Sequence, residues 1–290
     1  MNLFFDFSDA AVAELACADV ARALLEDVGS GDLTAGLIDP TRRIKARVLA
    51  RESAVICGLP WATAAFEQLD PDVRLTWHVT DGQRCEANQV VLEMEGSARG
   101  LLTAERTALN FLQLLSAVAT KTADYVLAVQ SVPGNRAQIV DTRKTLPGLR
   151  LAQKYAVRMG GGTNHRIGLY DAVLIKENHI AAAGGVKAVL QQAAQLAATA
   201  KFVEIEVETL SQLTEALTAG ATMLLLDNMT LPVLHKAVHI NAGRAVLEVS
   251  GGVNMSTVRD IAATGVDRIS IGALTKDIKA TDFSMRLEEL

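Results

Sequence analysis

The feature that most limits what this chain can fold into is a rhythm in its second half. Strand-length apolar runs, each closed by a polar or small residue, alternate with helix-like segments. The runs fall at 138–140, 172–175, 202–207, 223–226, 245–249 and 268–271, the later ones arriving every ~20–30 residues. Between them lie helical patterns at 185–200, 210–219, 230–241 and 256–264, and Ala219-Gly220, Ala242-Gly243 and Thr264-Gly265 read as helix stops set just before a strand. Repeated βα units of this size predict a parallel sheet, either a barrel or a doubly wound sheet. Six runs fall short of a full eight, so a closed and an incomplete barrel both stay open.

The first half reads differently. Alternating segments at 44–50, 73–79 (around Trp77) and 89–95 are separated by the turn signals Asp39-Pro40, Asp70-Pro71 and Asp81-Gly82, with helical pieces at 10–26 and 60–69. A long helical stretch at 101–130 follows, with Thr103 as its expected N-cap and Leu109, Leu112, Leu115 and Val118 as its apolar positions. The expected organisation is an α+β unit over 1–116 and a βα-repeat unit over 117–275, with the tail 276–290 returning onto the first unit.

Composition excludes several classes of function. Half the residues are apolar but only 4% are aromatic, which suits helices around an aliphatic sheet. The net charge of −5 argues against a nucleic-acid-binding surface. Cys17, Cys57 and Cys85 are odd in number and far apart, which fits neither a disulfide framework nor a metal-binding CxxC pair. The opening MNLFFDFSDA lacks a basic start and turns acidic at once, unlike a secretory leader. No apolar run reaches the ~18–20 residues that span a bilayer. The expectation is a cytoplasmic protein that binds neither nucleic acid nor membrane.

Function is written at the strand ends. Asp141 with Arg143, then Lys176, Glu206, Asp227, Ser250 with Gly251-Gly252, and Gly272 each follow a strand-length run. In a (β/α) barrel those ends converge on one face, where such proteins do their chemistry. Any one of these charges alone is ordinarily a solvated loop residue; a succession of them is harder to explain that way.

Positive charge is concentrated between 136 and 176. Arg136, Arg143, Lys144, Arg150, Lys154, Arg158, Arg166 and Lys176 make eight cations against the two acids Asp141 and Asp171. Fourfold spacing puts Arg150, Lys154 and Arg158 on one helical stripe, expected to be a solvated surface. Arg143, Lys144, His165, Arg166 and Lys176 lie instead at strand ends or beside the Gly160-Gly161-Gly162 loop. Arginine forks match carboxylate and phosphate oxygens in pairs, and lysine supplies a compact charge, so a substrate with several negative charges is implied.

Glu206 and Asp227 form an acidic counterpart, suited to Mg²⁺ or to sugar hydroxyls. Glu204 shares the strand of Glu206 and is expected deeper, paired with a lysine. Ser250-Gly251-Gly252 and Ile271-Gly272-Ala273 place small residues ahead of helices, where backbone amides bind phosphate. Other readings compete. His165, Glu177, His179 and Asp227 would suit a metal hydrolase, but their spacing matches no zinc pattern. Lys176 could serve a Schiff-base lyase. A non-catalytic anion-binding protein is the third alternative.

Longer motifs sharpen this. DTRKTLPGLR at 141–150, KYAVRMGGGTNHRIGLYDAVLIKENHI at 154–180, LLLDN at 224–228, EVSGG at 248–252 and GVDRISIGALT at 265–275 resemble the quinolinate phosphoribosyltransferase family. GDLTAGLI at 31–38 and ERTALNFLQLLSAVAT at 105–120 extend the resemblance over nearly the whole chain. A diverged, transport-associated relative alters DTRKT and IKENH; this chain keeps both. The resemblance implies an N-terminal α/β sandwich domain, an incomplete (β/α) barrel and a homodimer. It further implies Mg²⁺-dependent transfer of phosphoribosyl from 5-phosphoribosyl 1-pyrophosphate to quinolinate, yielding nicotinate mononucleotide, CO₂ and pyrophosphate in NAD biosynthesis.

Carried over by position, the resemblance has Arg143, His165, Arg166 and Lys176 holding the quinolinate carboxylates, with Arg106 reaching in from the neighbouring subunit. Lys144 would contact the sugar pyrophosphate, Thr142 would be among the substrate-binding residues, and Glu206 and Asp227 would hold the ribose hydroxyls and Mg²⁺. Ser250, Gly251, Gly252, Ile271, Gly272 and Ala273 would surround the 5-phosphate. Lys176, Arg143, Glu206 and Asp227 would be the catalytic set.

Overall fold

A computed structural model of the chain describes residues 5–196 and 198–288. Outside the described residues lie the first four positions of the opening segment, position 197 of the expected helix 185–200, and the last two of the tail.

The chain divides into two compact units. One comprises 5–121, 146–161 and the chain from 278 onward; the other comprises 122–145 and 162–277. The stretch 146–161, which the sequence reading assigned to the βα repeats, thus groups with the first unit.

The first unit opens with α1 (Asp9–Asp27), where Ser8 Oγ accepts from Ala11 N and the spacing of Val12, Ala16, Val20 and Leu24 gives one buried face. Then come β1 (Arg43–Ala50), β2 (Ala54–Val55), α2 (Leu59–Leu69), β3 (Arg74–Trp77), β4 (Arg84–Cys85) and β5 (Val90–Ser97). The long helix α3 (Ala98–Gln130) starts earlier than expected. Ser97 Oγ accepts from Gly100 N at 3.4 Å, while Thr103 sits inside the helix and donates to Asp32 Oδ2 at 2.8 Å. Leu101, Leu109, Leu112, Leu115 and Val118 of α3 are buried.

In the second unit, β6 (Gln138–Val140) is followed after a gap by β7 (Val173–Ile175), β8 (Val203–Val207), β9 (Met223–Asp227), β10 (Val246–Ser250) and β11 (Arg268–Ser270). They form one six-stranded parallel sheet in the order β6-β11-β10-β9-β8-β7. This is the incomplete barrel. Its aliphatic strands supply fully buried Ile205, Leu224, Leu226, Leu247 and Ile269. The first unit's strands end with β12 (Phe283–Glu288), which pairs antiparallel with β1 from Ala50 opposite Phe283 to Lys45 opposite Glu288. The antiparallel sheet runs β12-β1-β5-β3.

Helices between the barrel strands owe their ends to local chemistry. In the segment 210–218, Thr209 Oγ1 accepts from Gln212 N while Gln212 Oε1 accepts from Thr209 N, a reciprocal cap. Expected helix 185–200 runs only from Val186 to Ala194. The helix Arg150–Met159 corrects another expectation: Lys154 is fully buried, as are Ala152, Gln153, Ala156 and Val157 of the same helix. Its stripe with Arg150 and Arg158 is therefore not a uniformly solvated face. Among the described residues, no helix is long and apolar enough to cross a membrane.

Candidate functional site

Parallel pairing brings the carboxyl ends of the barrel strands level. Ile175 lies opposite Ile205, so the next residues, Lys176 and Glu206, meet with Nζ 3.3 Å from Oε2. Asp227 lies opposite Ser250 in the same way. A cavity of about 610 Å³ opens there, lined entirely by residues of the barrel unit.

Its cationic wall comes from Arg143, Lys144, Arg166 and Lys176, and its acidic wall from Glu206 and Asp227. Thr142 sits at the end of β6, its Oγ1 accepting from Lys144 N at 3.1 Å. Ser250, Gly251 and Gly252 line the floor beside Ile271, Gly272 and Ala273. Space forces one of these glycines and crowds another. A Cβ on Gly251, whose φ is +94°, would fall 2.1 Å from Asn228 Oδ1. On Gly272 it would press Lys144 Cδ at 3.0 Å.

The loop carrying His165 and Arg166 is pinned by two buried aspartates. Thr163 bridges to Val140 alongside β6, and Asp141 accepts from Asn164 Nδ2 at 2.7 Å and His165 N at 2.9 Å. Asp171 accepts from Ile167 N at 2.8 Å and Gly168 N at 2.9 Å. Asp141, expected at the strand-end face, is thus an anchor of this loop and does not line the cavity. Burial pulls the Arg166 guanidinium below its ordinary value, and the charge of Arg143 adds to that; Asp171 and Glu204 oppose it.

Beneath Arg166 lies an unexpected cluster. His165 Nε2 is 2.8 Å from Glu204 Oε2 and 3.5 Å from Glu248 Oε1, and Glu248 Oε2 accepts from Arg268 Nε at 2.7 Å. Glu248 and Arg268 are register neighbours on β10 and β11, which explains their pairing. The deep position expected for Glu204 is correct, but the partner shown for it is His165 of the anchored loop, not a lysine. Burial pushes Glu204 up to about 7, against the pull of Arg268 and Arg166. Glu248 is also raised, by burial and then by Glu204.

Some residues singled out from the sequence lie outside this cavity. Arg106, expected to serve the neighbouring subunit's pocket, is exposed on α3 and is not among the residues lining the cavity of its own chain. Glu177 and His179 are exposed on the helix Glu177–Ala183, where His179 Nδ1 accepts from Lys176 N at 3.0 Å. Sequence reasoning missed Glu248, Asn228 and Lys276, which also line the cavity. Glu248 was findable, since it stands two residues before Ser250 on one strand and so shares its face.

Residues 32–116 match the family described as "Quinolinate phosphoribosyl transferase, N-terminal domain", and 118–286 match its C-terminal domain. The chain is 41% identical over 275 residues to the nicotinate-nucleotide pyrophosphorylase (carboxylating) of Mycobacterium leprae, covering 92% of this chain and 95% of that protein. It is 39% identical over 286 residues to "Quinolinate phosphoribosyltransferase (decarboxylating) 2a, mitochondrial" of Nicotiana tabacum, covering 92% and 80%. The solved nicotinate-nucleotide pyrophosphorylase from Francisella tularensis superposes with a TM-score of 0.91 at 43% identity, covering 95% of this chain and 97% of that one.

Proposed function

This chain belongs to the quinolinate phosphoribosyltransferase family, and on that premise we propose that the cavity at its barrel strand ends is the site of the reaction. The enzyme transfers phosphoribosyl from 5-phosphoribosyl 1-pyrophosphate to quinolinate with decarboxylation, giving nicotinate mononucleotide, CO₂ and pyrophosphate for NAD biosynthesis. The observation that carries the assignment of the site is the meeting of five cations (Arg143, Lys144, Arg166, Lys176 and Lys276) and three carboxylates (Glu206, Asp227 and Glu248) around one cavity.

The chemistry needs alignment and fixed charge more than a covalent nucleophile. The quinolinate nitrogen attacks the anomeric carbon while the bond to pyrophosphate breaks, so the sugar gains positive character and the leaving group takes the electron pair. Arg143, Arg166 and Lys176 hold the two pyridine carboxylates, and Lys144 faces the pyrophosphate. Glu206 and Asp227 accept from the ribose hydroxyls and favour positive charge on the ring. Once the nitrogen is alkylated, its positive charge stabilises the electron pair that stays on the adjacent carbon as CO₂ departs, and a proton then adds to that carbon.

Glu206 and Asp227 also fit Mg²⁺, since they offer hard oxygens beside a phosphate-binding floor and both side chains are partly accessible from the cavity. When bound, Mg²⁺ supplies charge compensation to the pyrophosphate. The assembly is proposed as a homodimer in which the partner subunit's Arg106 completes the quinolinate pocket; the exposure of Arg106 and its position in the ERTALN motif support this. A cytoplasmic setting is supported by the three free cysteines.

The test is incubation with carboxyl-labelled quinolinate, phosphoribosyl pyrophosphate and Mg²⁺. Labelled CO₂ and nicotinate mononucleotide should appear together, and nicotinic acid, which has one carboxylate, should not be turned over. Comparable turnover of nicotinic acid would refute a pocket built for two carboxylates.

A further inference from the structure

Both ring nitrogens of His165 are engaged within the protein. The backbone N–H of Arg166 points at Nδ1 across 2.8 Å, so Nδ1 must present a lone pair and carries no hydrogen. A neutral imidazole keeps one N–H, which then belongs to Nε2, and Nε2 faces Glu204 Oε2 at 2.8 Å. The ring edge packs against Phe202, centroids 5.2 Å apart, which fixes its plane. Its own backbone N–H is held by Asp141.

We infer that His165 is a neutral, Nε2-protonated positioning residue, which brings no charge to the anion in the cavity and instead fixes the main chain from which Arg166 projects. The inference rests on the reading of the cavity as the quinolinate pocket. In that pocket the carboxylates are met by Arg143, Arg166 and Lys176, and His165 transmits to Arg166 the rigidity of the buried pair Glu204 and Glu248. Arg268 donates to Glu248 Oε2 at 2.7 Å and so compensates one of the two carboxylates.

Two other states conflict with this geometry. An imidazolium would put a second hydrogen into the 2.8 Å gap between Nδ1 and Arg166 N. A metal ion is the other alternative, since His165, Glu204 and Glu248 offer ligand atoms within 4.8 Å of one another. It would need the Nε2 lone pair, which sends the proton to the same blocked nitrogen.

The test uses the full-length protein labelled with ¹⁵N-histidine. Its spectrum is followed from about pH 8 to about pH 6, the window in which an unperturbed imidazole gains its proton. The five histidines are few enough for His165 to be assigned by its loss in H165Q. An acceptor-type Nδ1 signal and a protonated Nε2 signal, unchanged over this range and on adding quinolinate, are expected. Two protonated nitrogens, or a proton on Nδ1, would overturn the inference.

Kinetics give an independent readout. H165Q keeps a donor near Glu204 but loses the acceptor for Arg166, and should raise KM for quinolinate about tenfold, the worth of one hydrogen bond, with KM for the sugar pyrophosphate unmoved. H165N keeps an acceptor near the Nδ1 position and should recover most of that loss. Equal losses in both neutral variants would point to a missing charge and refute the positioning role. A protein inert toward quinolinate but with the expected spectrum would refute the enzymatic reading while leaving the ring state intact.

Discussion

Lys176 Nζ stands 3.3 Å from Glu206 Oε2 because β7 and β8 pair with Ile175 opposite Ile205, which delivers the two next residues side by side at the mouth of the barrel. The pair joins the cationic and acidic walls of the cavity. Without substrate, Glu206 holds the ammonium in place; in the proposed complex with a dianionic pyridine, the same ammonium would face a carboxylate. Half of the Lys176 side chain is solvent-accessible, so the pair itself contributes only about 0–1 kcal/mol to folding. Its importance is to the substrate.

K176A should therefore separate activity from stability. Loss of a cation facing a bound carboxylate costs roughly 2–5 kcal/mol, a fall in kcat/KM for quinolinate of about 30-fold to several thousand-fold. The thermal midpoint should move little. Steady-state kinetics and a melting curve on the same preparation check both halves, and near-normal turnover would remove Lys176 from the site.

The floor of the cavity gives a matched pair of glycine variants. G251A must adopt φ near +94° and also displace Asn228, whose Oδ1 would lie 2.1 Å from the new Cβ. G252A has φ near +61° but meets nothing within 4 Å, so it should cost only about 1–2 kcal/mol of backbone strain. G251A should raise KM for phosphoribosyl pyrophosphate much more than G252A. Equal effects would mean that the close approach to Asn228 is unimportant for the phosphate end.

Much of this arrangement was legible in the sequence, for a simple reason. A strand-length apolar run buried in a parallel sheet must end where the sheet meets solvent, so Lys176, Glu206, Asp227 and Ser250 announce their edge by position alone. The order and register that make Lys176 the neighbour of Glu206 were not legible, because pairing is a long-range property. Burial of polar groups was the other blind spot. Lys154 looked like part of a solvated stripe, and Glu204 looked like the partner of a lysine; the enclosed helix around one and the anchored loop over the other depend on contacts between distant segments. Thr103 was misread for a local reason, since Ser97, one residue ahead of the helix, is as good a cap.

Removal of the proposed Mg²⁺ should be felt through the acidic wall. Chelation should abolish phosphoribosyl transfer reversibly, and E206Q and D227N should raise the Mg²⁺ concentration for half-maximal activity by roughly 10–100-fold, as for carboxylates acting largely through water. Titration of activity with Mg²⁺ reads this directly. Unchanged Mg²⁺ dependence in both variants would place the ion elsewhere.

Asp81, in the first unit, offers a stability test. It substitutes for a capping side chain that Gly58 lacks: Oδ1 accepts from Gly58 N at 2.9 Å and Leu59 N at 3.2 Å, and Oδ2 accepts from the Tyr155 hydroxyl at 2.8 Å. Burial raises its carboxyl above the ordinary aspartate value, although the Tyr155 hydroxyl and the two amides pull the other way. The folded protein thus keeps this proton to higher pH than the unfolded chain. The corresponding stability is complete below the unfolded value and declines as pH rises through the folded one. D81N keeps an acceptor for the two amides and should flatten that acid-range slope in urea denaturation. D81A strands the helix amides and should lose about 1–3 kcal/mol. A D81N profile parallel to the natural one would show that another acid carries the slope.

Arg106 tests the assembly. In a homodimer whose sites are shared, a subunit carrying R106A has an intact barrel, and a subunit carrying K176A can still donate its arginine. Each mixed dimer then contains one complete site and one doubly damaged one. Random exchange of equal amounts makes half the dimers mixed, so activity should recover to about a quarter of the natural level. Either variant alone should be nearly inactive. Failure to recover activity, with subunit exchange verified by differently tagged chains, would mean that each site is complete within its own chain.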